Sequence, residues 1–487
     1  MTLSFDPDSL VLPKGHFIGG RLIEAPGQLP IKRPSDARAY WDCPIADAGI
    51  VDRAVDTAHR TLKESGWATL RPRERTRLMQ RWADLIEEEA IPLARMEAVG
   101  STRPVGHLIA GDIGVTAEQI RFFAEFADKE GSDVVPTDGN SLGMIMTEPY
   151  GVVGAITPWN FPLSMAAWKL APALAAGNAV VLKPSEMTPF STLYLAELAM
   201  RAGLPGGLIN IVVGDGATTG SAITGHPGIA KVSFTGSTGA GSAIMANIAR
   251  TGVKPMTLEL GGKSPQLVFA DADLDLAAGA IATSLLSNAG QACVAGSRLI
   301  VEARVADALA EAIIARLATV RPGPTWDETT DYPPIISERQ IGRMDSIVRA
   351  TIEGGAECLA GGKRLDRQGY FYAPTLISGV TATSPAVLEE IFGPVLTIQT
   401  FEDEEEALTL ADHPTYGLAA GLFTRDLSRA IRLTRRLQAG TVWVNRYGRS
   451  RDHILPTGGY KQSGIGKDLG RDAFLANRKS KSVLISL

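Results

Sequence analysis

Between Asn178 and Leu260 the chain alternates two hydrophobic periods, and that alternation limits the folds open to it more than any other feature. The short apolar run AVVLKP is followed by STLYLAELAMRAG, with apolar residues at helical spacing and a closing glycine. INIVV, a second helix-like stretch, KVSFTG, a third helix from about Gly239 to Arg250 and TLEL then follow. Strands alternating with helices predict βαβ units on a parallel sheet. The same order resumes after Gly261 with SPQLVF, a helical region beginning at Asp271, SRLIVEARV and a helix through Arg316. TVWVN and KSVLISL read as strands, and Ile50 to Leu62 and Arg73 to Ala90 as amphipathic helices. Asp133 to Asn140 is the most loop-like break and the expected crossing between domains.

A chain of 487 residues suggests two to three domains. With 48 basic and 53 acidic residues, a net charge of −5 gives no pull toward nucleic acid or anionic membrane. Three widely spaced cysteines, Cys43, Cys293 and Cys358, make no disulfide framework and favour a reducing, cytoplasmic compartment. MTLSFDPDSL lacks the basic and apolar regions of a secretory signal. The apolar stretch from Tyr150 to Leu182 is broken by Asn160, Lys169 and Asn178, so it reads as a buried segment rather than a membrane span.

Several familiar motifs nearly match and fail. GDGATTG has one residue too many before its last glycine for a dinucleotide fingerprint. GGKS has Thr257 where a phosphate-binding Walker loop needs glycine. GNSLG fits the letters of a serine-hydrolase elbow, but Ser141 leaves a loop and enters the strand-like MIMTEP. No HExxH or CxxC pattern occurs, and no metal is expected.

Five features carry chemistry, each with a plainer alternative. FTGSTGAG lies between a strand and a helix, where backbone amides and the Ser237 hydroxyl can face a pyrophosphate; the alternative is a tight packing turn. KPSE ends a strand, where a carboxylate can accept both hydroxyls of an adenosine ribose and repel a 2′-phosphate, favouring NAD over NADP. A solvated Lys/Glu pair is the plainer reading. Glu259, in an apolar strand before two glycines, suits a general base with a raised pKa, or a carboxylate satisfied by the turn. Asn160, between prolines, is a buried amide that is either satisfied or kept for an oxyanion. Cys293 stands in SNAGQACVAGS, where small neighbours leave clearance for a substrate carbon or simply pack a buried thiol.

In combination these segments resemble the NAD(P)-dependent aldehyde dehydrogenase superfamily, from about Val51 to the C-terminus. The resemblance rests on TPWNFPLSMAAWKLAPALAAGNAVVLKPSE, FTGSTGAG, LELGGKSP, NAGQACVAGSR, EEIFGPV, YGLAAGLFT, GTVWVN and GGYKQSGIGKDLG, in that order. It implies Cys293 as nucleophile, Glu259 as base, Asn160 as oxyanion donor with the Cys293 N–H, and Lys169 in a proton relay with the base. Lys183 and Glu186 would contact the adenosine ribose, Trp159 and Ser237 the pyrophosphate, and Ser185, Gly216 and Gly236 would be further cofactor-binding positions. Glu390 would hold the nicotinamide ribose, with Phe392 near the ring. Trp168, Ala292, Val294, Arg449 and Thr457 are candidate substrate contacts.

The fold so implied is α/β: a Rossmann-type NAD-binding domain (1–130 and 150–261), an α/β catalytic domain (262–466) and a small β bridging element (131–149 and 467–487). Exposed strands of that element would pair across subunits in a homodimer or homotetramer. The implied chemistry is oxidation of an aldehyde to a carboxylic acid through a thiohemiacetal and thioester on Cys293. Alternatives are a CoA-acylating relative, against which Glu259 argues, a non-catalytic scaffold, and a cofactor-free esterase.

Three features depart from the family pattern. RPSDARAYWDCPIADAG replaces the usual Asn-Pro-Ala-Thr-Gly beginning, Thr457 stands where many members have phenylalanine, and Asp468 where many have glutamate. The loop RYGRSRDH, Arg446 to His453, is unusually basic. One or more of Arg446, Arg449 and Arg451 is expected to attract a carboxylate-bearing aldehyde; a subunit contact or a pair with Asp452 is the alternative.

Overall fold

The computed structural model describes residues 2–450 and 452–487. Two large sheets organise the chain. The first has eight strands, in spatial order Arg21–Ile23, His16–Ile18, Ile209–Ile211, Ala179–Lys183, Val152–Ile156, Lys231–Thr235, Met256–Glu259 and Gly464–Ile465. Its five central strands are parallel, and the chain winds outward both ways from Val152–Ile156. The order therefore reverses between Val152–Ile156 and Lys231–Thr235, the crevice where doubly wound sheets bind ligands. Trp159 and Asn160 follow the first of these strands, and Gly236 and Ser237 follow the second.

The second sheet has seven strands: Glu357–Ala360, Thr375–Ser378, Val395–Phe401, Arg298–Glu302, Pro265–Val268, Ala419–Phe423 and Thr441–Val444. Only the pair Glu357–Ala360 and Thr375–Ser378 is antiparallel. Separate apolar clusters pack on it, one around Leu285, Leu299 and Ile313, another around Leu267, Phe401 and Leu422. The architecture is thus a Rossmann-type unit, a second α/β unit and a small β element.

That small element is a three-stranded antiparallel sheet of Arg478–Ser486, Ser141–Pro149 and Asp133–Val135. The expected loop at Asp133 to Asn140 therefore begins as a strand: DVV is apolar enough to pair with Gly143, Met144 and Ile145, although too short to show a period. Ser141 is the first residue of its strand and bonds Asp138, so no nucleophile elbow forms.

Local chemistry sets the helix ends. Asp47 caps Ala48–Ser65 by accepting from the Ile50 N–H (2.9 Å), and Gly66 ends that helix at φ 64°. Ser237 caps Thr238–Thr251. The apolar stretch after Tyr150 becomes the strand Val152–Ile156 and the helix Pro162–Ala175, every residue of which is buried. Among the described residues no helix is long and apolar enough to cross a membrane.

The largest core lies around the first sheet and holds Trp67, Trp82 and Phe123. The Trp82 indole, on Pro72–Glu88, donates to the Leu195 carbonyl on Phe190–Arg201 (3.0 Å) and fastens two helices together. Trp82→Ala opens a cavity and removes the indole bond between the helices, at a cost of about 3–5 kcal/mol. The expected result is a lower urea midpoint, read by intrinsic fluorescence; an unchanged midpoint contradicts the packing described.

Candidate active site

Cys293 lies in the connection that precedes the strand Arg298–Glu302 of the second sheet. The turn before it is left-handed at three successive residues, Asn288 (φ 51°), Ala289 (φ 49°) and Gly290 (φ 69°). At Gly290 a Cβ would meet the Gly393 carbonyl oxygen at 2.3 Å, and at Gly262 one would meet the Cys293 carbonyl oxygen at 2.6 Å. Much of the small-residue pattern therefore serves close backbone approach.

Buried amides hold this turn. Asn160 Nδ2 donates to the Gln291 carbonyl (3.0 Å), and Asn288 Nδ2 donates to the Asn160 carbonyl (3.0 Å). Gln291 Nε2 donates to the carbonyls of Asn288 (2.9 Å) and Pro334 (3.0 Å), while its Oε1 accepts from the Ile336 N–H (3.0 Å). Thr102 donates to Asn288 Oδ1 (2.7 Å). An amide nitrogen carries two hydrogens, so Asn160 keeps one beyond its Gln291 bond. Asn288 and Gln291 were not singled out from sequence; two further amides beside a candidate nucleophile were the available signal.

The Cys293 thiol is partly exposed, and burial pushes it up to about 11. The Arg449 charge pulls it down, and Glu259 and Glu390 push it up. Glu259 ends the strand Met256–Glu259, is buried, and its Oε1 has no hydrogen-bond partner. Burial first, and then the neighbouring Asp468 charge, raise its pKa well above the carboxylate range; Lys169 and Arg449 oppose that rise. Both ionisable groups are thus biased toward their neutral forms.

Lys169 meets Asp468 in a buried ion pair of 2.5 Å. Asp468 in turn exchanges two backbone hydrogen bonds with Thr457 (2.7 and 2.9 Å). The two C-terminal positions that depart from the family pattern are therefore direct partners. The Thr457 hydroxyl accepts from Arg449 (2.8 Å), and the Arg449 guanidinium lies over the Trp168 ring at 4.9 Å. Trp168 and Lys169 are adjacent on one helix, so these contacts close a ring around the site. Ala292 is buried, and Val294 joins an apolar cluster with Leu418, Ala419 and Trp443, against which Cys293 and Tyr447 pack. Arg446 is exposed, and among the described residues its side chain donates to the Arg449 carbonyl (3.3 Å). Asp452 turns to Ser450 (2.6 Å), and Arg451 lies outside the described residues.

The cofactor candidates gather at the carboxyl edge of the first sheet. Lys183 Nζ is buried and bonds the Pro184 carbonyl (2.9 Å) and Glu186 (3.4 Å), while Glu186 stays partly exposed. The Ser185 hydroxyl accepts from the Met187 N–H (3.3 Å). Ser237 Oγ accepts from Ala240 N–H (3.3 Å), which leaves its own hydrogen free. Gly216 opens onto empty space, and the Gly236 N–H donates to the Glu259 carbonyl (3.0 Å), tying the glycine turn to the base.

Glu390 accepts from the Gly262 N–H (3.0 Å), and burial pushes its pKa up to about 7. Phe392 takes φ 55° and meets Trp159 edge to face at 5.3 Å. Lys263, passed over in the failed Walker motif, is buried with Nζ unpartnered; burial lowers it to about 7 and Glu390 raises it. These residues fit a dinucleotide, with a carboxylate at a strand end, a capped helix N-terminus at the crevice and a second carboxylate beside the thiol's neighbour Gly262. Among the described residues no cluster suited to a metal ion occurs.

A thiol at about 11 is mostly protonated at neutral pH. Alkylation of Cys293 by iodoacetamide should therefore rise about tenfold per pH unit from about pH 7 to 10. Mass spectrometry of the Cys293 peptide separates it from Cys43, which is buried and pushed up to about 12. A rate that is flat across this range contradicts the assignment.

A profile described as the aldehyde dehydrogenase family matches residues 23–483. The chain is 37% identical over 482 residues to the cytosolic 10-formyltetrahydrofolate dehydrogenase of Xenopus tropicalis, covering 97% of this chain and 53% of that longer protein, about half its length. It is 41% identical over 476 residues to the putative aldehyde dehydrogenase DhaS of Bacillus subtilis, covering 97% and 96% of the two chains. Among solved structures, a cysteine-to-alanine variant of the P. syringae indole-3-acetaldehyde dehydrogenase AldA, in complex with NAD+ and IAA, shares 39% identity. It superposes with a TM-score of 0.96 over 99% of this chain and 98% of that one.

Proposed function

The chain belongs to the aldehyde dehydrogenase family, and from that premise we propose that it oxidises an aldehyde to a carboxylic acid by covalent catalysis at Cys293. One observation carries this reading: a partly exposed thiol feels the charge of Glu259, a base whose pKa burial raises, and sits in the loop held by Asn160, which keeps a spare amide hydrogen.

The roles follow from those groups. Attack of Cys293 Sγ on the carbonyl carbon forms a C–S bond and moves the carbonyl electron pair onto oxygen. The free Asn160 N–H stabilises that oxygen; loss of one such donor typically costs about 10²–10³ in rate. The thiol proton passes to Glu259, whose raised pKa narrows the gap between acceptor and donor. NAD+, when bound, supplies the two-electron acceptor for the oxidation. Lys183 and Glu186 would hold its adenosine ribose, the Ser237 turn its phosphates, and Glu390 its nicotinamide ribose. Glu259 then removes a proton from the water that cleaves the Cys293 thioester. The Lys169–Asp468 pair holds the field around that carboxylate.

The negative charge of Glu186 favours NAD over NADP by opposing a 2′-phosphate. Among the described residues the outer edge of Arg478–Ser486 has no partner strand and exposes Leu484 and Ile485, which supports pairing with a second copy in a homodimer or homotetramer. A cytoplasmic location accords with three free cysteines.

The direct test is a panel of aldehydes with NAD and with NADP, followed by absorbance of the reduced cofactor. No turnover with either would reject the reading. Cys293→Ala is expected to abolish turnover and keep NAD binding by calorimetry, whereas Glu259→Gln should release one equivalent of NADH in a burst and then stall. Glu186→Gln should raise the kcat/KM ratio of NADP to NAD by on the order of tenfold as like-charge repulsion is removed; an unchanged ratio would count against Glu186 as the discriminator.

A further inference from the structure

The strand Thr441–Val444 and the loop that follows it line a cavity of about 200 Å³ that the reaction steps leave unused. Among the described residues its lining includes Arg446, Arg449, His453 and Trp443, and no carboxylate. Trp443 also packs in the apolar cluster against Cys293, and the Arg449 charge acts on that thiol, so two residues of the cavity lining reach toward the nucleophile.

Arg449 is fixed within it. Its guanidinium is stacked over Trp168 and donates to Thr457, which is itself held by the two bonds to Asp468. Its Nε is buried and has no partner, and among the described residues no carboxylate pairs with it. The His453 Nε2, on the same lining, is likewise buried and unpartnered. A buried donor without an acceptor is costly, and more so when the group is charged. Two residues of one lining, each with a buried nitrogen that lacks a partner, together with an arginine charge and no acid on that lining, describe a place prepared for an anion.

Resting on the aldehyde-oxidation reading, we propose that this cavity is the subsite for the far end of the substrate, and that the substrate is an aldehyde bearing a carboxylate. Arg449 is its specificity-determining residue. The carbonyl carbon is presented to Cys293 while the carboxylate takes the unpartnered guanidinium edge. The imidazole of His453, in the tautomer protonated at Nε2, donates beside it. Stacking and the Thr457 bond hold the guanidinium before substrate arrives, so little rotamer entropy is lost on binding. Trp168 and Thr457 therefore act as positioning residues for Arg449.

The experiment compares ω-carboxy aldehydes of four to six carbons with their methyl esters, which match them in shape and lack the charge. The wild-type protein should favour the carboxylates by at least about tenfold in kcat/KM, mainly through KM. In Arg449→Met that ratio should fall toward unity, and Arg449→Lys, which keeps charge but not the fork, should lie between. Using a ratio within one variant removes any general effect of the arginine on the thiol. Equal use of acid and ester by the wild-type protein overturns the subsite, and so does a preference that survives Arg449→Met; aldehyde oxidation then stands.

If no aldehyde is turned over, glutarate decides the subsite independently. It should bind the full chain in calorimetry and slow Cys293 alkylation, and lose both effects in Arg449→Met and weaken in His453→Phe. Absence of glutarate binding by the wild-type protein overturns the proposal.

Discussion

The interaction on which the site depends is the set of buried amide hydrogen bonds joining Asn160, Asn288 and Gln291. Asn160 follows a central strand of the first sheet, whereas Asn288 and Gln291 precede a central strand of the second. The bonds between them cross from one sheet unit to the other. Within such a dry setting each bond is electrostatically stronger than in water, and each unmade one is correspondingly costly. The network therefore fixes the nucleophile loop and the oxyanion donor with one device. It also explains three successive left-handed residues before Cys293: the amides and the close approach at Gly393 overdetermine a turn that an isolated chain would avoid.

A second constraint is electrostatic. A buried ion pair such as Lys169–Asp468 gains little net stability over apolar packing, because desolvation offsets its attraction. Its worth here is positional. Lys169 rises from the helix that also carries Trp168, and Asp468 is bridged to Thr457, so the pair pins the C-terminal segment against the first sheet unit. The result reaches both ionisable partners of the reaction: Asp468 raises Glu259, Lys169 lowers it, and Arg449 lowers Glu259 and the thiol together. Thr457 and Asp468 look independent as sequence departures. In space they are one feature, which is why neither is interpretable without the other.

The alternation of periods located four of the five central strands of the first sheet, because fully buried parallel strands leave short apolar runs such as AVVLK and KVSFT; the fifth, Val152–Ile156, lay inside the stretch read only as a buried segment. The chemistry-bearing residues were legible for a similar reason. A carboxylate in TLEL, or an amide between prolines in a buried stretch, is conspicuous against apolar neighbours. What sequence concealed is contact across distance. The small residues around Cys293 suggested clearance for substrate, yet Gly290 and Gly262 are required by backbones more than a hundred positions away in one case and some thirty in the other. Ser237 read as a phosphate donor and is also a helix cap, a role set by its N-terminal position on Thr238–Thr251. Asp133–Val135 was hidden as a loop because three residues cannot display a period of two.

A thiol pushed up to about 11 appears at first a poor nucleophile. The relevant quantity is the difference between thiol and acceptor, since that difference sets the free energy of moving the proton between them. Each pKa unit corresponds to about 1.4 kcal/mol. Burial moves both Cys293 and Glu259 upward, and Asp468 lifts the carboxylate further, so the acceptor follows the donor. Had Glu259 stayed near its ordinary value, the transfer would be uphill by the whole gap. Arg449 works from the other side by lowering the thiol more directly than any other neighbour. The same low-dielectric surroundings that make the thiolate rare in the resting protein also make it a stronger nucleophile once formed, because intrinsic nucleophilicity rises with pKa. Burial therefore costs thiolate population and returns reactivity. The site resolves that opposition by raising the base along with the nucleophile and leaving one fixed cation within reach of both.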